Sequence, residues 1–237
     1  MTFSKESCIV LFSGGQDSTT CLLWALKKFY NVYILTFNYK QRHNIEIECA
    51  KKILSVIGSK EKNSIKWLKD DSIKEHKIID ISFFSEISNT AMIHNTDIIY
   101  NEETHLPTTF VPGRNILFLT IAAAYAYQKK IHHLVTGVCQ EDYSGYPDCR
   151  DTTIKSLQTS LQLGMEYDFI IHTPLMWKSK ARTIKLMEKL EGIELYKYTH
   201  TCYKGERPAC GECFACELRL KGFKEAGIKD PLEYLSL

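Results

Sequence analysis

Two groups of residues in this chain have the types and spacing to do chemistry. The first is Ser13-Gly14-Gly15-Gln16-Asp17-Ser18, directly behind the apolar run Cys8-Ile9-Val10-Leu11-Phe12. A short β-branched run, two glycines and a helix-forming segment describe a strand–turn–helix. Glycine lets the backbone approach an anion closely and tolerates positive φ. The first amides of the following helix, from about Ser18, have no acceptor within the helix, so they point at a ligand. Ser13 and Ser18 add hydroxyl donors. Asp17 cannot bind phosphate itself and is expected either to hold Mg²⁺ or to cap the helix. The bland alternative for the whole string is an ordinary turn with a Ser or Asp N-cap.

The second group is Cys202, Cys210, Cys213 and Cys216, spaced C-x₇-C-x₂-C-x₂-C. Four thiolates so close in sequence can close a tetrahedral shell around Zn²⁺. Gly205, Pro208 and Gly211 supply turns between them. The tight C-x₂-C-x₂-C part also suits a [4Fe–4S] cluster, but no Pro follows the last cysteine and the fourth ligand lies upstream. Zinc is the expected ion. With all four positions taken by protein, it would be structural and would activate no water. Cys8 and Cys21 fall in apolar patterns and are expected in the core.

The elements that must position these groups alternate between strand and helix. Strands are expected at Cys8–Phe12, Val32–Phe37, Ile78–Ile81, Leu134–Val138 and Phe169–His172. Helical spacing of apolar residues predicts helices at Ser18–Phe29, Asn44–Ile57, Asn115–Gln128, Thr152–Leu163 and Ser179–Leu190. The helix at Asn115–Gln128 is apolar enough to be expected buried on several sides. Lys60–Lys77 is charged and without clear period, and reads as a variable excursion with a short extended piece at Lys66–Leu68. Ile93–Pro112 is expected to be a long loop near the site, and Glu141–Asp151 a polar loop. The alternation predicts an α/β fold with a doubly wound parallel sheet, whose ligands sit at the carboxyl ends of the strands. The composition breaks near Tyr198. The expected organisation is therefore an α/β domain over 1–197 that carries the glycine loop and a small zinc-binding segment over 198–237.

The chain has 237 residues, 44% of them apolar, and a formal net charge of +2. That balance offers no electrostatic footprint for tRNA or DNA, and no stable nucleic-acid partner is expected. It also weighs against reading the cysteines as a zinc ribbon that binds nucleic acid. The N-terminus lacks the pattern of a signal peptide, and no apolar run is long enough to span a bilayer. A cytoplasmic protein is expected, and in that reducing compartment cysteines read as metal ligands or catalytic groups more than as disulfides.

The Ser-Gly-Gly-x-Asp-Ser string resembles the pyrophosphate-binding loop of the PP-loop (N-type) ATP pyrophosphatases. No Gly-x-x-x-x-Gly-Lys-Ser/Thr string occurs in the chain, which points to chemistry at the α-phosphate with release of pyrophosphate rather than γ-phosphoryl transfer. Three further strings match one branch of that superfamily: Tyr39-Lys40-Gln41-Arg42-His43 with Glu46, Thr109 to Asn115, and Asp142 to Arg150. With Thr199 to Cys216, Gly222-Phe223 and Asp230-Pro231, they make the chain similar to the 7-cyano-7-deazaguanine synthase family, over nearly its whole length. Lys40 stands where that family usually has Gly, and His200-Thr201 where Trp and Ser are usual.

The resemblance implies an ATP-dependent C–N ligase. It would convert 7-carboxy-7-deazaguanine and ammonia to the nitrile through an acyl-adenylate and an amide, in queuosine precursor biosynthesis. It also implies a homodimer. The stretch Phe12, Ser13, Gly14, Gly15, Gln16, Asp17, Ser18 and Thr19 would hold ATP, with Mg²⁺ at Asp17. Arg114 would meet the α-phosphate or the substrate carboxylate, since its planar fork suits either. Asp17, Arg114 and Asp142 are the expected catalytic residues, and Arg42, His43, Tyr143, Asp148 and Arg150 the expected contacts to the deazapurine. For Glu46 a solvated helix start is nearly as good a reading. Lys178 and Lys180 are placed to reach a phosphate or to stand as exposed helix-start lysines. No general base stands out. The alternative is a PP-loop enzyme that adenylates tRNA, of thiolase or lysidine type.

Overall fold

The computed structural model describes residues 4–40, 45–59, 65–88, 90, 106–140, 145–205 and 207–235. Its centre is a parallel five-stranded sheet. The strands are β1 (Ser4–Leu11), β2 (Phe29–Asn38), β3 (Ile73–Asp80), β4 (His133–Val135) and β5 (Ile170–His172), in the spatial order β3-β2-β1-β4-β5. The chain builds outward from β1 through β2 to β3, then returns to the other side of β1 to place β4 and β5. The order therefore reverses between β1 and β4. That crevice, at the carboxyl ends of the two strands, is where an open α/β sheet binds its ligands.

Residues alternate faces along the strands, and the core divides accordingly. Cys8, Val10 and Phe12 join Val32 and Ile34 on one face. Ile9 and Leu11 join Leu35 and Phe37 on the other. The first face is covered by α1 (Gln16–Lys28), α2 (Ile45–Gly58), α6 (Lys180–Lys189) and α7 (Phe214–Ala226), which contribute Leu22, Ile53, Ile184 and Phe223. The second is covered by α4 (Arg114–Lys129) and α5 (Asp151–Met165), through residues such as Leu119 and Leu161. The short helix α3 (Phe84–Ile87) follows β3. Cys8 and Cys21 are fully buried, and burial pushes both thiols well up from their ordinary range.

Several expectations shift. The helix after the loop starts at Gln16 rather than near Ser18, so Gly15 is its N-cap and Asp17 sits in its first turn. Asp17 therefore does not cap it. Phe29 begins β2 instead of ending α1. The third strand is longer than the apolar residues at Ile78–Ile81 indicate, because its first half is Ile73-Lys74-Glu75-His76-Lys77. An edge strand needs an apolar side chain only where it faces the core. Lys66 and Trp67 form a turn, not an extended piece. Helix α4 buries one stripe, Leu119, Ala122, Ala123 and Ala126, and exposes Ile116 and Tyr127. Of the long loop expected at Ile93–Pro112, residues 93–105 lie outside the described residues.

The segment from 198 onward packs on this body. Gly222 of α7 lies against α6 so closely that a Cβ there would come 2.7 Å from Cβ of Lys180. Arg219, 1% exposed, is the pin of the segment. Its Nε and Nη2 donate to Oδ2 and Oδ1 of Asp230 at 2.7 and 2.8 Å. Nη1 donates to the hydroxyls of Thr199 (2.7 Å) and Thr201 (3.0 Å), and Nη2 also reaches the carbonyl of Tyr196 (3.1 Å). Every N–H direction of the guanidinium is thereby used.

Candidate active site

The crevice between β1 and β4 opens into a cavity of about 380 Å³. On one side lies the 13–18 loop. Gly14 has φ +82°, and a Cβ on it would stand 2.6 Å from both the amide nitrogen of Ala50 and the carbonyl oxygen of Glu46. Only glycine meets both constraints, so the loop rests directly on the first turns of α2. The hydroxyls of the loop are occupied by one another. Ser18 Oγ donates to the carbonyl of Gly15 (3.1 Å) and lies 3.1 Å from Ser13 Oγ, while the amide of Gly15 donates to Ser13 Oγ at 3.3 Å. These are long bonds, easily exchanged for those to an anion. Thr19 is buried and donates to the carbonyl of Gly15 (2.7 Å), and the amide of Phe12 continues the sheet to Leu35 (2.8 Å). Gln16 is 5% exposed and lines the cavity, and its Nε2 has no partner among the described residues.

Asp17 also lines the cavity, and Lys180 at the start of α6 donates to its Oδ2 at 2.6 Å. Lys180 is thus the lysine the fold delivers to the glycine loop, while Lys178 is outside the lining. The cavity continues away from the loop toward Tyr39 at the end of β2, Glu46 in α2, Arg114 and Phe118 in α4, and Tyr146 and Cys149 around a 3-10 turn over Pro147–Cys149. Among the described residues the Arg114 fork makes one long hydrogen bond, 3.5 Å to the hydroxyl of Tyr39. Burial works against the charge of Arg114, yet the surrounding Tyr39, Tyr146 and Asp148 hold its guanidinium above the ordinary arginine range. Burial pushes the Glu46 carboxyl up to about 7, against the pull of Arg114.

Asp148 is buried, and its Oδ2 accepts the amide of Asn115 at 3.0 Å. It holds the 3-10 turn against the start of α4, outside the cavity lining. Arg150 is exposed at the N-cap of α5, also outside it. Arg42, His43, Asp142 and Tyr143 lie outside the described residues.

The cysteines form the neighbouring wall. The Sγ atoms of Cys202, Cys210, Cys213 and Cys216 all lie within 4.8 Å of one another. A single ion with metal–sulfur bonds of about 2.3 Å in a regular tetrahedron sets its sulfurs about 3.8 Å apart; those of Cys210 and Cys216 are 3.9 Å apart. The amide of Cys213 donates to Cys210 Sγ at 3.3 Å, the kind of support that orients a thiolate ligand. The donor set therefore fits one tetrahedral metal ion. A cubane would place each thiolate on a separate iron and spread the four further. The segment leading into this cluster pairs with the phosphate loop itself: His200 bridges Gly15 as a strand would, and its amide donates to the carbonyl of Gly14 (3.3 Å). Arg207 reaches from the same segment to Cys49 Sγ (2.8 Å) and to the carbonyl of Tyr198 (2.9 Å).

Residues 7–227 match the family model described as "Queuosine biosynthesis protein QueC". The chain belongs to this family. Curated family members named 7-cyano-7-deazaguanine synthase include those of Bacillus subtilis (strain 168), 48% identical over 93% of this chain and 95% of its own, and of Chromobacterium violaceum, 46% identical over 97% and 94%. Among solved structures, a 4-thiouridine synthetase in complex with RNA and bound ATP aligns with TM-score 0.51 at 15% identity, covering 94% of this chain and half of the other. NMN synthetase from Francisella tularensis aligns with TM-score 0.50 at 14% identity, covering 95% and 79%. These two share the fold, a parallel sheet flanked by helices, as expected from the sequence. Within the family setting Lys40 has a physical reading: its φ of +55° is the left-handed conformation that a glycine adopts without strain. No helix among the described residues is long and apolar enough to cross a membrane.

Proposed function

We propose that this chain converts 7-carboxy-7-deazaguanine, ammonia and ATP to 7-cyano-7-deazaguanine, AMP and pyrophosphate. The observation that carries the reading is one cavity with an anion-accepting glycine loop on one side and a cation, a carboxylate and aromatic rings on the other, in a chain 46–48% identical to curated 7-cyano-7-deazaguanine synthases. A carboxylate oxygen is a poor leaving group. Transfer of AMP to it makes a good one, and ammonia then displaces AMP to give an amide. A second adenylation, on the amide oxygen, lets AMP depart and leaves the nitrile.

The protein's share is placement and charge. Amides beside Gly14 and Gly15, with Ser13 and Ser18, hold the departing pyrophosphate. Lys180 adds its ammonium there, and Gln16 offers a buried donor. Asp17 carries the hard oxygen that would hold Mg²⁺, which offsets phosphate charge when bound. Arg114 spans the α-phosphate and the substrate carboxylate. Phe118 and Tyr146 give the flat base apolar walls. Arg42 and His43 come after β2 in the sequence and Asp142 and Tyr143 after β4, and on the family resemblance of these strings we assign them to the deazapurine.

We infer that the four cysteines hold Zn²⁺, because four thiolates around one ion suit that metal. The ion would fix the wall formed by 198–237 against the ATP-binding body of 1–197. A cytoplasmic homodimer completes the reading. The test is direct. Purified protein is incubated with the deazapurine acid, ammonium and ATP-Mg²⁺, and the products are weighed by mass spectrometry. Nitrile with AMP and pyrophosphate, formed without RNA, supports the proposal. ADP and orthophosphate as the only nucleotide products, or turnover that requires tRNA, would overturn it.

A further inference from the structure

Neither adenylation explains where the protons on nitrogen go. Ammonium, the form that prevails at neutral pH, is no nucleophile until it loses a proton. When ammonia attacks the acyl carbon, a C–N bond forms and the C–O bond to AMP breaks, and the nitrogen sheds one proton to become an amide. The O-adenylated amide must then lose both remaining protons. One leaves to give the neutral imidate. The second leaves as the C–O bond breaks, AMP takes that electron pair, and the N–H pair becomes the third C–N bond. A group that accepts protons at this nitrogen is required, and among the described residues no histidine lines the far end of the cavity.

We propose that Glu46 is this general base. The inference rests on the activity proposed above. Three observations carry it. Glu46 belongs to the first turn of α2, the turn pressed against the phosphate loop at Gly14, so it stands beside the position where AMP is transferred. Its side chain lines the cavity together with Arg114, the residue placed to hold the reacting carboxyl. Among the described residues its carboxylate has no hydrogen bond or ion pair, although it is half-buried; a structural carboxylate in such a place would be engaged, as Asp148 is with Asn115. Among the described residues the charged and titratable neighbours that face it are Arg114 from α4, Tyr39 just after β2 and Cys49 from α2 itself. Burial outweighs Arg114 and leaves the carboxyl near 7, where a base can both accept a proton and return it to water.

The test separates adenylation from proton removal. Exchange of labelled pyrophosphate into ATP, with the deazapurine acid present and ammonium absent, reads the first adenylation alone. In Glu46→Gln this exchange is expected to fall less than threefold, while nitrile formation with saturating ammonium falls about 100-fold, within the usual contribution of a positioned base. The KM for the deazapurine is expected to change little, the acid limb of the kcat–pH profile to disappear, and Glu46→Asp to recover part of the rate. Retained exchange also shows that the variant is folded. Equal loss of exchange and nitrile, a large rise in KM with kcat preserved, or an unchanged acid limb would each overturn the assignment and make Glu46 a binding residue. If the unaltered protein shows no substrate-dependent exchange, the proposed activity itself fails and the base falls with it, so the two failures read apart.

Discussion

Two arginines line the same cavity, and they are held in different ways. Arg219 is fully engaged: a bidentate pair with Asp230, two threonine hydroxyls and a carbonyl. Asp230 is itself completed by the hydroxyl of Tyr234 (2.7 Å) and the amide of Leu232 (2.9 Å). Among the described residues Arg114 has one bond, at 3.5 Å. A buried cation with every donor used belongs to the architecture. A half-buried cation with most of its fork directed at a cavity has been left for something that arrives later. Burial alone does not separate structural from functional charge; the state of its hydrogen bonds does.

The comparison can be broken most severely at Arg219. Arg219→Met leaves Asp230 buried without its cation, and stability is expected to fall by about 3–5 kcal/mol, measured by denaturant unfolding. A variant within 1 kcal/mol of the parent would show that the network is incidental. At Arg114 the opposite result is expected. Arg114→Ala should lower kcat/KM by about 10²–10³-fold, the typical effect of removing one preorganised donor to developing charge, with the melting temperature almost unmoved. Loss of both together would merge the two arginines into one class.

Gly14→Ala sharpens the contrast at the cavity floor. The added Cβ meets the backbone of α2 at 2.6 Å on a residue of φ +82°. About 1–3 kcal/mol of stability should be lost, in the range of overpacking, together with affinity for ATP. Titration calorimetry with a non-hydrolysable ATP analogue checks the second part. An alanine variant that binds as well as the parent would mean that the loop has room to shift.

The smallest effect concerns a third kind of buried group, already in its neutral form. Burial, assisted by neighbouring His133, lowers His172 to about 4 from its ordinary 6.5. Between those values the unfolded chain binds more protons than the folded one, so stability rises with pH there and is lost as pH falls from 6.5 toward 4. Thermal melts at pH 7 and pH 5 should show a larger drop for the parent than for His172→Gln. Equal drops would remove His172 from the account.

The legibility of the site follows from how its parts are encoded. The phosphate loop is a local device, since its glycines, hydroxyls and helix amides are consecutive, and the same holds for the cysteines from Cys210 to Cys216. The far end of the cavity is assembled by topology. Tyr39, Glu46, Arg114 and Tyr146 come from four elements that only the reversal between β1 and β4 brings together. Glu46 read nearly as well as a solvated helix start because an exposed first turn and a cavity-facing first turn have the same sequence. Lys180 was ambiguous beside Lys178 for a related reason, since the register of α6 decides which lysine meets Asp17. The start of β3 escaped the periodicity because Lys74 to Lys77 lie on an edge strand, which leaves little for hydrophobic alternation to mark.

The bridge between His200 and Gly15 ties the segment leading into the cysteine cluster directly to the glycine loop. A reagent that strips an ion from those sulfurs would relax the strip of backbone against which the glycine loop is braced. Its first sign would be a slackened grip on triphosphate, well before the sheet gives way. Under the proposed function, the thiol cluster would act on nucleotide retention without ever touching a phosphate.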